Sequence, residues 1–159
     1  MKLKTMFTLL LFSLPLFSQV SLDDVDNLNK SAIALKNIEA KLEDRSRKLT
    51  DTEKLAILPV LSLISAQQVH LLYLPEFLII HIATGGQGTI FAAVLKQKLR
   101  EASKGLDKDL KFMNNALAAA RKPEDVEILR QLQKELIKLD GIYKDIISRM
   151  PIYKGHYEE

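Results

Sequence analysis

Residues 55–95 form a run of forty-one positions in which Glu76 is the only charged side chain. The run reads LAILPVLSLISAQQVHLLYLPEFLIIHIATGGQGTIFAAVL, with Glu53 and Lys54 on one flank and Lys96 and Lys98 on the other. Apolar sequence of this length has to leave water, for a protein core, a partner's surface or a bilayer. The rest of the chain is therefore read as what covers this run or delivers it. The full chain of 159 residues is of one-domain size, enough for a single modest core.

A membrane hairpin would turn at Pro75 and Glu76, with legs 55–74 and 77–95, each close to the ~20 residues a span requires. Three features oppose it. Gln67, Gln68 and His70 in the first leg, and Gly85, Gly86, Gln87 and Gly88 in the second, are unfavourable against lipid. Exported flanks would place Arg45, Arg47, Lys48, Lys54, Lys96, Lys98 and Arg100 outside, against the positive-inside tendency. A turn at the glycines, unlike one at Pro75, divides the chain into helices of matching length. The expectation is a water-soluble bundle in which Leu61, Ile64, Leu71 and Leu72 are core or partner-interface residues.

The N-terminus carries an export pattern. Lys2 and Lys4 precede an apolar stretch, 6–17 (MFTLLLFSLPLF), with Pro15 near its end and Ser18 beyond it. That is the form of a secretory signal peptide, too short for a comfortable membrane span. Residues 1–18 are expected to be removed near Ser18, leaving a 19–150 bundle domain and a flexible 151–159 tail, in the periplasm or outside the cell. Cysteine is absent, so neither a lipid-modified cysteine nor a disulfide is available, and stability has to come from packing.

Four helical patterns follow the leader. In the first, about 22–49, Ser21 and Asp24 form a capping box. Leu28, Leu35, Leu42 and Leu49 recur every seven residues, beside Val25 and Ala32. Glu43 and Arg47 are spaced to pair on its solvent face. The second opens on the capping box of Thr50 and Glu53 and is apolar on nearly every face to about Ala83. Pro59 and Pro75 are expected to bend or interrupt it. Gly85, Gly86 and Gly88 stop it.

The third pattern, 89–120, presents Leu95, Leu99, Ala102, Leu106, Leu110, Met113, Leu117 and Ala120, with Gly105 as a weak point. Its cluster Ala116, Ala118, Ala119 and Ala120 predicts close approach by a neighbour. Pro123 starts the fourth helix at a tolerated position, and Leu129, Leu132, Leu136, Leu139, Tyr143, Ile146 and Met150 alternate three and four residues apart. Helices of about 27 to 33 residues, or about 40 to 50 Å, with short connections predict an all-α, antiparallel up-down four-helix bundle. The second helix, largely apolar and kinked at its prolines, would be its most buried member.

Chemistry is sparse. Basic residues number 23 and acidic 20; without Lys2 and Lys4 the balance is 21 to 20, far from the basic stripe that nucleic acid requires. There is no nucleophile elbow, and the glycine-rich turn lacks the lysine of a phosphate loop. His70 and His81 lack the Glu-x-x-His companions of a helical metal site, so no metal, cofactor or enzymatic activity is expected. Gln67, His70, Leu71, Leu74, Phe77 and His81 fall roughly on one side of the second helix and form the candidate interface or groove. Two function classes follow. One is an exported interaction or scaffold protein working through an apolar helix surface with a protein partner or as a homo-oligomer, for instance in an export or transfer apparatus. The other is a membrane-active protein that inserts 55–95 or binds a bilayer peripherally.

Overall fold

The computed structural model describes residues 20–85 and 89–150. The expected signal peptide, its cleavage site near Ser18, the 151–159 tail and Gly86 to Gly88 lie outside the described residues. Among those described there are four helices and no strand: α1 (Leu22–Arg47), α2 (Asp51–Ala83), α3 (Thr89–Ala119) and α4 (Pro123–Arg149).

Local signals set the ends. The Asp24 carboxylate accepts from the Ser21 N–H at 2.8 Å and opens α1. At α2 the box is reciprocal: Thr50 N–H donates to Glu53 Oε2 at 2.9 Å, and Glu53 N–H donates back to Thr50 Oγ1 at 3.4 Å. Gly85, at φ 63°, takes the left-handed conformation just past the end of α2, which a side chain would oppose. Pro59 and Pro75 do not interrupt α2, which runs as one helix through both; each removes only the donor to the carbonyl four residues before it. Glu43 and Arg47 do not pair. Lys48 bonds Asp44 at 2.9 Å instead, while Arg45 reaches across to Asp125 at 2.7 Å.

The helices pack in a ring: α1 against α2 and α4, and α3 against α2 and α4, with the backbones of the diagonal pairs held apart. Ring closure is read from cross-links between α1 and α4, where Lys41 Nζ donates to Gln131 at 2.8 Å and Arg149 to Asp24 at 2.9 Å. Elsewhere Gln68 donates to Glu39 and Ser103 to Asp140, each at 2.8 Å. The four leucine-rich seams meet along the axis: Leu28, Leu35 and Leu42; Ile64, Leu71, Leu74 and Leu78; Leu95, Leu99 and Leu106; Leu132, Leu136, Tyr143 and Ile146 are all buried. The fourth-helix heptads and most of the third-helix face are therefore core as expected; Leu110, Leu117 and Ala120 are only partly buried.

Two expectations fail. The second helix is not the central, most buried member. Four helices around a common axis each turn only an inner face to the core, so an all-round apolar helix keeps one face outside. Leu72, expected as a core or partner-interface residue, is not core: it is 74% exposed in the bundle, whereas its neighbour Leu71 is 4% exposed. The alanine cluster of α3 also does not draw a neighbour close. Ala116, Ala119 and Ala120 instead line, with Ala56 and Pro59 of α2, Leu42 of α1 and Phe112, a pocket of about 540 Å³ open to solvent.

Candidate functional site

Helix α2 carries two seams. The inner one is Val60, Ile64, Gln67, Leu71, Leu74, Leu78 and His81, alternating four and three residues apart, and every member is buried. The outer one is Leu55, Leu58, Ser62, Ser65, Val69, Leu72, Glu76, Ile79 and Ala83, alternating three and four, and every member is exposed. Leu55 is 66% exposed, and Leu58 and Val69 are each 56% exposed. Ala66 and Ile80 flank this stripe and are exposed too, so the outer face holds eleven exposed residues of which only Glu76 is charged. A surface helix of a self-sufficient bundle turns charged and polar groups outward. Here the outward face extends about 42 Å with no Lys or Arg. At the glycine end, Ile90, Ala93 and Val94 on α3 are exposed as well.

The six candidate residues do not form one groove. Leu71 and Leu74 are core. Gln67 is buried, its Nε2 donating to Asp109 Oδ2 of α3 at 2.7 Å. Burial pushes the Asp109 carboxyl above its ordinary value, against the opposing pull of Gln67 and His70. His81 is buried, and burial lowers its imidazole below the ordinary value. His70 and Phe77 lie half-buried on the α2–α3 seam. There His70 Nδ1 is 2.6 Å from the Tyr73 hydroxyl, and rings step edge-to-face from His70 to Tyr73, Phe77 and Phe91, with centroids 5.6 to 5.8 Å apart. Burial lowers His70 too, more than Glu101 and Asp109 raise it, so both imidazoles are neutral at pH 7. Edge-to-face rings and the Gln67–Asp109 hydrogen bond tie the two helices together, while Gln67 Oε1 is buried with no hydrogen-bond partner among the described residues. These residues join α2 to α3.

Among the described residues, no cluster of three or more His, Asp or Glu side chains is placed to hold a metal ion. Charged pairs gather at the pocket end of the bundle. Lys122 Nζ lies 2.6 Å from Glu53, and Arg45 bonds Asp125. Glu53 is held down at about 2 by Lys122 first and by its capping bonds to Thr50. These are structural pairs that fasten the α1–α2 and α3–α4 turns, and no acid–base couple stands free among them. No protein-family model, no curated protein and no solved structure matches the chain.

The outer seam of α2 is the surface that sequence reasoning did not single out. Its signal was present as a second three-four repeat free of Lys and Arg, one helical face away from the first. Periodicity alone could not separate the two, since both are apolar.

Proposed function

We propose that this chain is an exported, non-catalytic interaction protein of the cell envelope or extracellular space, an assembly or scaffold component that docks through the outer seam of α2. The carrying observation is that seam: nine exposed heptad positions, eight of them uncharged, on a helix whose other face already fills the core. Exposed apolar surface of this extent marks a binding face, and covering each large side chain returns up to about 1.5 to 3 kcal/mol. The export half of the reading rests on Lys2, Lys4 and the apolar 6–17 stretch.

One observation favours a second reading. Residues 53–83 are long and apolar enough to cross a bilayer, and only 28% of the most apolar window is buried within the bundle. In that reading the same face meets lipid. Cell fractionation separates the two. The interaction reading expects the exported chain in the soluble fraction, beginning at Gln19 by intact mass. Retention on membranes through high-salt and carbonate washes overturns it in favour of lipid, and exported protein that still carries residues 1–18 overturns the cleavage.

A further inference from the structure

The reading above leaves the partner open, and resting on it, the geometry points to a second copy of this chain, with the two α2 helices packed antiparallel along their outer seams. Heptad seams pair in layers, and in an antiparallel pair each layer sets a residue that precedes a three-residue step against one that follows it. Glu76 decides the alignment, because it is the only charge on the seam and a carboxylate enters an interface only with a donor beside it.

In a parallel pair Glu76 would face its own copy, and Ser62 and Ser65 would face themselves. Two carboxylates would be forced together and the serine layers left underfilled. Of the two antiparallel alignments that keep the seam's middle in register, one sets Glu76 against Leu58, where it has no donor. The other sets Glu76 against Ser65, whose hydroxyl can donate to it. That same alignment places Leu58 opposite Ala83, Ser62 opposite Ile79, and Val69 opposite Leu72. Small residues then oppose large ones in the outer layers, with Val69 and Leu72 meeting at the centre. The two-fold makes each of these contacts twice.

A flat strip about 42 Å long and about 10 Å wide is about 420 Å², short of the ~800 Å² per partner of a standard interface, so the seams alone make a small interface and a dimer that forms as concentration rises. Both inner seams stay in their own bundles, so the assembly is two intact four-helix units joined back to back.

The test is sedimentation equilibrium on the full chain and on variants of residues that touch nothing in their own core. The wild type is expected to move from the single-chain mass towards twice that mass as concentration rises. Ser65→Asp sets like charges against Glu76 at two symmetric sites, and the dimer dissociation constant rises at least tenfold. Combining Ser65→Asp with Glu76→Lys restores the dimer. Within one chain these residues are eleven apart on a helix, about 16 Å, so rescue reports contact between copies. A wild type that stays monomeric at all concentrations, or a Ser65→Asp variant that dimerises unchanged, overturns the proposal. Dimerisation without rescue by the double variant overturns the alignment. A soluble monomer leaves the interaction reading standing with a different partner, whereas a chain that stays in washed membranes removes both.

Discussion

Arg149, in the last turn of α4, donates through Nη1 to Asp24 Oδ2 at 2.9 Å and through Nη2 to Asp24 Oδ1, joining residues 125 positions apart. Asp24 is at once the capping residue of α1, accepting from Ser21, and the acceptor of a forked guanidinium. The pair locks the first and last helices at one end of the ring, as Arg45 with Asp125 does at the other. A bidentate pair with both partners largely covered is worth more than the usual surface ion pair.

That pair gives the bundle an acid limb. Burial alone would raise the Asp24 carboxyl, but hydrogen bonds from Arg149 and Ser21 outweigh it and hold the group below its ordinary value. A carboxyl depressed in the fold contributes stability that is complete above its unfolded value, near pH 4, and lost as pH falls through the folded value. Asp24→Asn is expected to cost about 2 kcal/mol at pH 7, between an exposed and a fully buried pair. It should also flatten the loss of stability below about pH 4. Urea unfolding of both proteins at pH 7 and pH 3 measures this.

Asp109 works with the opposite sign. Its carboxyl is raised, chiefly by burial, so its contribution is fully present below the unfolded value and declines as pH climbs through the folded one. Asp109→Asn keeps an oxygen to accept from Gln67 Nε2 and removes the half-buried charge. The variant should be more stable than the wild type at pH 7 and equal to it at pH 3. Parallel thermal melts at the two values decide it, and a loss at pH 7 would contradict the account.

Neighbouring leucines separate core from surface. Leu71→Asp places a charge among Leu74, Leu78 and the seams of the other helices, and should cost about 4 kcal/mol or more or prevent folding. Leu72→Glu, one residue on, should shift the unfolding free energy by no more than about 0.5 kcal/mol while weakening self-association. Circular dichroism melts read the first effect and sedimentation the second.

Tyr143 is fully buried on α4, and its hydroxyl has no hydrogen-bond partner among the described residues. Burial pushes the phenol well above its ordinary value. Tyr143→Phe keeps the ring's packing and removes a desolvated donor, so it should raise stability by about 1 kcal/mol. In a domain of this size that is roughly 3 to 5 °C in melting temperature, measurable by calorimetry.

Much of the architecture was legible in the sequence. Two capping boxes, a proline at the start of α4 and a glycine after α2 marked helix ends, because each meets a local need of the backbone that neighbours in sequence can satisfy. The seams of α1, α3 and α4 were legible too, since each has one apolar stripe against charged faces and only one way to turn. Helix α2 was different. Val60, Ile64, Leu71 and Leu74 make one heptad row and Leu55, Leu58, Val69 and Leu72 another, both apolar. Hydrophobicity says that a side chain avoids water, not which neighbour covers it. The ring of four decided that, by giving each helix a single inward face and leaving the second row outside. Only the tertiary structure likewise paired Asp24 with Arg149 and Gln67 with Asp109, and opened a pocket at the alanines, because these depend on helix-to-helix register across distances that no local pattern encodes.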